Sequence, residues 1–110
     1  MTLLEKQMKF AELVTYFLYN LFELGYRVTF GEAWRTKEQQ EIYVKKKLSK
    51  TMNSKHLERL AIDLNFFKDG KWLADRDELL EVGQIWKSMG EDCVWGGDWN
   101  WDGGHFQLGE

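Results

Sequence analysis

This sequence has almost no cysteine, no proline, no long apolar segment and little net charge. Cys93 is the only cysteine among 110 residues, so an intrachain disulfide is excluded. Proline is absent, which favours no fold class over another. No segment approaches the roughly 18 apolar residues of a membrane-spanning helix, so we expect no membrane insertion. The net charge is only −3, too small to imply a polyanionic partner.

A basic cluster stands out against this balance, and it consists of Lys45, Lys46, Lys47, Lys50, Lys55 and Arg59. A solvated helix end followed by a loop explains the cluster better than a nucleic-acid surface. No aromatic residue repeats through it, as a platform for single-stranded nucleic acid would require. We therefore expect no nucleic-acid partner.

The length and composition fit one compact domain over residues 1–110. Hydrophobic residues make up 44% of the chain and charged residues 30%, as in globular proteins. Tryptophan is frequent, with six copies. Three of them fall between Val94 and Trp101, which predicts either a corner of the core or the wall of a binding cleft.

Apolar periodicity predicts helices over Thr2–Leu24, Thr36–Lys47 and Asp75–Met89. Strands are expected at Arg27–Trp34, Leu60–Phe67, Lys71–Leu73, Cys93–Trp95 and His105–Leu108. Thr2 and Thr36 begin capping boxes, Gly25 and Gly90 end helices, and Asp69-Gly70 forms a hairpin turn. Leu48–Lys55 is expected to be a loop. The order predicts an α+β domain in which helices flank a small antiparallel sheet.

Alternation along the predicted strand Leu60–Phe67 separates two faces. Leu60, Ile62, Leu64 and Phe66 should face the core, and Asp63 should lie on the polar face beside Ala61 and Asn65.

The sequence has only two histidines, and both lie where a metal ion could use them. Together with Asp63, His56 and His105 would leave one tetrahedral position open, as in catalytic zinc sites. His56 and Asp63 are seven positions apart, so one straight strand would point them to opposite faces. Both can bind one ion only if His56 precedes the strand. Taken alone, a histidine is more often a surface or core residue than a metal ligand, and Asp63 could simply cap a turn.

Two further residues are candidates for chemistry. Asp102 lies three residues before His105, where it could move a proton beside a metal ion, or it could simply open the turn at Gly103-Gly104. Arg35 lies between a predicted strand and a capped helix, a rigid place from which to stabilise an oxyanion. A surface arginine is an equally good interpretation.

The segment Asp98–Gly103 matches the first half of a calcium loop. Its twelfth position is Gly109, not Glu, and no helices flank it, which excludes an EF-hand. A looser calcium site is the alternative that this pattern leaves open.

These motifs resemble a known family. Ser54-Lys55-His56 followed by Ala61-Ile62-Asp63 resembles the SxHxxGxAxD motif of M15 zinc peptidases. Asp102-Gly103-Gly104-His105 resembles the second motif of that family, and Gly31–Thr36 with Gln39 or Gln40 resembles its arginine-bearing segment. Arg59 stands where the motif has glycine, and Arg59–Asn65 resembles phage and prophage members.

The resemblance implies the fold shared with D-Ala-D-Ala peptidases and the Hedgehog signalling domain. It implies zinc as cofactor, with His56, Asp63 and His105 as ligands, Asp102 as general base and Arg35 as stabiliser of the carbonyl oxygen. We expect substrate contacts from Ser54, Gln39, Gln40 and Trp101.

The resemblance also predicts a function, a peptidoglycan peptidase of the phage endolysin type that cuts the L-Ala–D-Glu bond of the stem peptide. A D-alanyl-D-alanine carboxypeptidase or dipeptidase, a non-catalytic zinc-containing domain, and a metal-free domain are the alternatives. We expect a monomeric catalytic domain without a separate wall-binding domain. The N-terminus shows no signal peptide, which predicts synthesis in the host cytoplasm and release to the cell wall through a holin pore.

Overall fold

The computed structural model describes residues 1–49, 52–99 and 101–109, which form α-helices packed on an antiparallel sheet. The helices are α1 (Leu3–Glu23), α2 (Lys37–Lys45) and α3 (Leu80–Ser88). The strands are β1 (Arg27–Phe30), β2 (Ala61–Lys68), β3 (Lys71–Leu73), β4 (Cys93–Trp95) and β5 (His105–Leu108). Short 3-10 helices cover Lys55–Glu58, Asp77–Leu79 and Gly96–Trp99. The predicted α+β class is confirmed.

Helix α1 begins with the predicted capping box. The Thr2 hydroxyl accepts a hydrogen bond from the Glu5 backbone N–H, and the Glu5 carboxylate accepts one from the Thr2 N–H. Gly25 follows the helix with φ +91°, a conformation that L side chains rarely adopt. No described helix is both long and apolar enough to cross a bilayer.

The core lies between α1, α3 and one face of the sheet. Phe17 is fully buried, and its ring centroid lies 5.2 Å from that of Trp86 on α3 and 4.9 Å from that of Phe106 on β5. Leu64 and Phe66 are buried as the alternation of β2 predicted. Burying each such side chain is worth about 1.5–3 kcal/mol, so these contacts hold the sheet and helices together.

Strand β2 organises the sheet. The strand order is β1-β2-β5-β4, and β3 pairs with the last residues of β2 after the Asp69-Gly70 turn. In the antiparallel pairing of β2 with β5, Asp63 lies directly opposite His105. Directly opposed residues on one face are within side-chain contact, so this register alone brings two of the predicted ligands together.

The predicted strand Arg27–Trp34 is wrong in its second half, because β1 ends at Phe30. Beyond it the chain is still tied to Asp63, whose backbone C=O accepts from the Gly31 N–H and whose N–H donates to the Glu32 C=O. The chain then turns away toward the Lys55–Glu58 segment, where the Arg35 N–H donates to the His56 C=O. Phe30, the last residue of β1, is 69% exposed.

Three other predicted boundaries also change. The Asp75–Met89 helix starts only at Leu80, since the Leu79 N–H is shared between the carbonyls of Asp75 and Arg76 in a tighter 3-10 turn. Helix α2 ends at Lys45, two residues early, and Lys47 adopts φ +59°. The predicted loop Leu48–Lys55 gives way to a 3-10 helix from Lys55, and its residues 50 and 51 lie outside the described part.

Arg59 ends the 3-10 helix Lys55–Glu58 in the left-handed conformation, with φ 59° and ψ 34°. This is the position where the resembled motif has glycine, the residue that adopts this conformation without strain. The Arg59 guanidinium lies 4.8 Å from the centre of the Trp34 ring, a cation–π contact worth about 0.5–1 kcal/mol that offsets part of the strain. The turn sends the chain from His56 into β2.

Trp95 fixes the loop that precedes β5. The indole is fully buried, and its N–H donates to the Gly103 C=O at 2.8 Å. Gly83 on α3 and Gly97 both pack against the ring so closely that a Cβ at either position would lie 2.2 Å from a ring atom. The absence of side chains at these two glycines is what allows Trp95 to anchor the loop.

We expect Gly83→Ala to destabilise the protein by at least about 1–3 kcal/mol, because the added methyl overlaps a buried ring that has no room to move. Alanine normally stabilises a helix interior over glycine by about 0.5–1 kcal/mol, so the sign is diagnostic. Urea denaturation measures the change. Gly90→Ala is the matched control, since a Cβ there would lie 3.5 Å from the Cys93 sulfur, an ordinary contact. A stabilised Gly83→Ala variant would contradict the packing described.

Candidate metal centre

Three side chains that could bind a metal ion converge where β2 meets β5. Asp63 Oδ1 lies 3.0 Å from His105 Nδ1 and 3.2 Å from His56 Nε2. The candidate ligand atoms of the three residues all lie within 4.8 Å of one another. His56 reaches the site from the 3-10 helix ahead of β2, which satisfies the parity condition derived from the sequence.

The donor set fits zinc. Ligands about 2.0–2.1 Å from a tetrahedral zinc ion are separated by about 3.3 Å, close to the distances from Asp63 Oδ1 to the two imidazole nitrogens. Two imidazoles and one carboxylate leave a fourth position open. The histidines are only 2% and 6% exposed, whereas Asp63 is half-buried and faces the cleft described below. A ligand molecule in that cleft therefore has access to the open position.

Gln107 determines which nitrogen of His105 is available. The Gln107 amide N–H donates to the Gly109 C=O at 2.6 Å, so its oxygen faces His105 Nε2 at 2.7 Å and accepts from it. With the proton on Nε2, Nδ1 can give up its own proton and offer its lone pair when a metal ion binds; in the metal-free protein the protonated Nδ1 donates to Asp63 Oδ1 at 3.0 Å. Such a partner for the second ring nitrogen is characteristic of metal-bound histidines. Alternation along the predicted last strand places Gln107 on the face of His105, but it did not reveal this role.

Backbone and hydroxyl contacts hold His56. The Ser54 hydroxyl caps the 3-10 helix and accepts from the His56 N–H at 3.2 Å. The Nδ1 atom of His56 is buried and has no hydrogen-bond partner among the described residues. A buried nitrogen without a partner is uncommon. Because Nδ1 makes no such bond, packing and the contact of Nε2 with Asp63 hold the ring in place.

Asp63 and His105 shift each other's pKa. Burial alone would raise the pKa of Asp63, but hydrogen bonds from His105 and His56 and their positive charges hold it well below its usual range. Burial alone would lower the pKa of His105, but the hydrogen bonds to Asp63 and Gln107 and the charges of Asp63 and Asp102 raise it. Asp63 is thus an anion at all ordinary pH values, as a metal ligand must be.

A cleft of about 770 Å³ opens beside the three groups. Asp102 lines it, and burial raises the pKa of its carboxyl group, with the charge of Asp63 adding to this effect. Trp99 and Trp101 form part of the wall, and the Trp99 ring centroid lies 5.1 Å from that of His105. The tryptophan-rich segment therefore contributes both a core residue, Trp95, and cleft residues.

Arg35 also lines the cleft, held by a network that the sequence did not reveal. Its Nε and Nη2 atoms both donate to Glu32 Oε1, and Nη1 donates to Gln40 at 2.7 Å and more weakly to Ser54 at 3.4 Å. The Tyr43 hydroxyl donates to Glu32 Oε2 at 2.8 Å, a bond that raises the Tyr43 pKa. Contacts with described residues use four of the five guanidinium N–H groups, which leaves one on Nη2 for a ligand in the cleft.

Two predicted substrate contacts lie elsewhere. Gln39 and Gln40 are not among the described residues that line the cleft, whereas Ser54 and Trp101 are. Gln40 is fully buried and bonds to Arg35 and to the Ser49 hydroxyl, so it supports the cleft from behind. Gln39 lies in the first turn of helix α2, where its backbone N–H donates to the hydroxyl of the N-cap residue Thr36.

The calcium interpretation of Asp98–Gly103 receives no support from the described part of that loop. Residues Gly96–Trp99 form a 3-10 helix, and both Asp98 oxygens contact the Lys87 ammonium, at 3.1 and 3.0 Å. Asn100 lies outside the described residues, as does Lys50 of the basic cluster.

Known proteins share sequence and structure with this chain. A family model described as D-alanyl-D-alanine carboxypeptidase, of the M15 peptidases, matches residues 47–108. The crystal structure of the Serratia marcescens L-Ala D-Glu endopeptidase ChiX is similar, with a TM-score of 0.59 and 29% sequence identity. That similarity covers 74% of this chain but 65% of the other, slightly less than two thirds of its length. No curated protein gave a significant match.

The ligand geometry predicts how zinc content responds to substitution. Alanine at His56, Asp63 or His105 should abolish stoichiometric zinc binding, whereas Asp98→Ala should retain it as a surface control. Gln107→Ala should weaken zinc binding about 10–100-fold, because His105 loses its orienting partner. Competition with a chromophoric chelator measures the affinities.

Acidification should weaken zinc binding as well. Protons compete for His105, whose raised pKa extends this competition above the ordinary histidine range. An unchanged zinc affinity in Gln107→Ala, or an affinity independent of pH between about pH 6 and 8, would contradict the arrangement.

Proposed function

Because this chain belongs to the D-alanyl-D-alanine carboxypeptidase family of M15 peptidases, we propose that it is a zinc-dependent peptidase of the peptidoglycan stem peptide. The observation that carries the proposal is the convergence of His56, Asp63 and His105 at a cleft that Asp102 and Arg35 also line. For the bond, we propose L-Ala–D-Glu, supported by the similarity to an endopeptidase whose name specifies it.

His56, Asp63 and His105 would hold the zinc ion, which would act as a Lewis acid when bound. Asp102 is the residue that moves the proton. Its carboxylate would accept a proton from the attacking water and deliver it to the nitrogen of the leaving amine. Burial raises its pKa toward the range in which a carboxyl group both accepts and donates protons efficiently.

Arg35 would stabilise the charge that develops on the scissile carbonyl oxygen. Its one uncommitted N–H is the donor, and the contacts to Glu32 and Gln40 fix its direction. A donor held in place before reaction stabilises charge without reorganisation, which is why such groups contribute strongly to catalysis. Glu32 balances the charge of Arg35, so the donor acts mainly through its position.

The remaining wall suits a peptide. Trp101 is 71% exposed and lines the cleft with Trp99, so apolar ring surface lies beside the polar groups. Ser54 lies between Arg35 and His56, bonded to both. We propose that Trp101 and Ser54 contact the stem peptide on either side of the scissile bond.

The alternative substrate is the D-Ala–D-Ala end of the stem, supported by the description of the matching family. Digestion of purified peptidoglycan followed by mass spectrometry separates the two activities. Cleavage at L-Ala–D-Glu releases the stem peptide with a new amino terminus on D-Glu. Release of free D-Ala with an intact stem would identify the carboxypeptidase instead.

A phage or prophage origin, a monomeric state and release through a holin pore are further parts of the proposal. The resemblance of Arg59–Asn65 to phage and prophage members supports the first of these. Expression in bacteria with and without a co-expressed holin tests the release, since lysis should require both proteins.

Asp102→Asn should reduce turnover at least about 100-fold and leave zinc content unchanged, because the amide neither accepts nor delivers the proton. Steady-state assays on a stem peptide and zinc analysis of the same sample measure both quantities. Asp98→Asn serves as the control, since it removes a carboxylate from the same loop outside the cleft lining. An Asp102→Asn variant that keeps full activity would show that the proposed proton transfer is wrong.

Because Glu32 fixes Arg35, substitutions of Glu32 should affect turnover only while Arg35 is present. Glu32→Ala should lower kcat about 10–100-fold with little change in KM. Glu32 fixes the direction of the Arg35 donor, and that donor stabilises the charge that the carbonyl oxygen acquires in the transition state and not in the bound substrate. Glu32→Gln keeps an acceptor for Arg35 and should recover much of the loss. In an Arg35→Ala background, Glu32→Ala should have almost no further effect. Additive losses in this double-mutant cycle would show that Glu32 acts on folding instead.

A further inference from the structure

Lys47 occupies a position that favours glycine. It follows helix α2 in the left-handed conformation, with φ 59°. The Lys47 N–H donates to the Val44 C=O at 3.0 Å, and the Leu48 N–H donates to the Tyr43 C=O at 2.8 Å. This pair of bonds is the Schellman motif, whose left-handed residue is usually glycine. A lysine there strains the backbone, and such strain is commonly retained where a side chain has a function.

Lys47 also has an uncompensated charge inside the cleft. Arg35, Lys47 and Lys55 are the described cations that line it. Arg35 is paired with Glu32, and the Lys55 ammonium lies 3.4 Å from Glu58. The Lys47 side chain makes no hydrogen bond or ion pair with any described residue.

The anionic groups of the cleft are committed in the proposed mechanism. Asp63 would hold the metal ion, and Asp102 would move the proton. The free ammonium of Lys47 is therefore available to an anion that arrives with the substrate, and its flexible four-carbon stem lets it reach into the cleft.

We propose that Lys47 binds a free carboxylate of the substrate next to the scissile bond and makes the protein selective for the acid over its amide. This inference rests on the proposed function. In an L-Ala–D-Glu bond, the D-Glu residue contributes the leaving nitrogen and has two carboxyl groups. One of these groups joins the next residue, and the other stays charged within a few bonds of that nitrogen. Amidation of this carboxylate removes the charge and keeps the shape.

The test compares two synthetic tripeptides, L-Ala–γ-D-Glu–L-Lys and its amidated D-isoglutamine analogue, with N-acetylated amino termini. The zinc-loaded wild type should cleave the acid about tenfold more efficiently, the size expected for one charge-assisted contact. Lys47→Met should lose this preference by slowing cleavage of the acid and leaving that of the amide unchanged. Lys46→Met is the matched control, because Lys46 is the adjacent cation and is not among the residues lining the cleft.

Lys47→Gly gives a second, opposite readout. It removes the backbone strain together with the charge, so the melting temperature should rise by about 4 °C while the preference for the acid disappears. A variant that is more stable and less selective distinguishes a recognition role from a folding role. If Lys47→Met and Lys47→Gly keep the wild-type preference, or slow both peptides equally, the inference is overturned.

Binding measurements separate this inference from the proposed function. Kd values for the two tripeptides are measured by calorimetry on the zinc-loaded Asp102→Asn variant, and again on the zinc-loaded double variant that combines Asp102→Asn with Lys47→Met. If the wild type cleaves neither peptide, the proposed function fails, and tighter binding of the acid that depends on Lys47 still supports carboxylate recognition. Equal Kd values for acid and amide in the Asp102→Asn variant overturn it.

Discussion

The contact of one carboxylate oxygen with two imidazoles is the constraint on which the site depends. Asp63 Oδ1 meets both His105 and His56, and it does so because β2 and β5 pair with Asp63 opposite His105. A slip of one residue in this register would turn Asp63 to the core face and dismantle the cluster. The apolar residues Leu64 and Phe66, buried on the other face of β2, make such a slip costly.

The surrounding structure holds this cluster from both sides. Trp95, locked between two glycines, fixes the loop that carries Asp102, and Gln107 orients the ring of His105. On the opposite side, Glu32 fixes Arg35, whose backbone N–H is bonded to the His56 C=O. Buried polar groups are stable only when their partners are in place, so the cleft and the fold stabilise each other.

The strands were easier to predict than the helix ends. The two short strands Cys93–Trp95 and His105–Leu108 and the hairpin at Asp69-Gly70 follow from alternation and turn residues, which are local properties. The errors after Phe30, at Asp75–Leu79 and at Lys47 have a common feature, since each segment makes a tertiary contact or lines the cleft: the Gly31 N–H bonds to Asp63, Arg76 donates to the Gly97 C=O, and Lys47 lines the cleft. Arg59 and Lys47 adopt left-handed conformations that their residue types do not suggest.

The sequence by itself determined the α+β class, the faces of β2 and the residue types able to bind a metal ion, because periodicity and side-chain chemistry are written locally. The order of the motifs along the chain indicated the M15 peptidase family, and the family match over residues 47–108 established it. Only the tertiary structure decided that His56, Asp63 and His105 converge, that Gln40 lies behind the cleft and not in it, and that Glu32 compensates Arg35 whereas Lys47 stays uncompensated. These distinctions depend on distances between residues far apart in the chain, which no local pattern encodes.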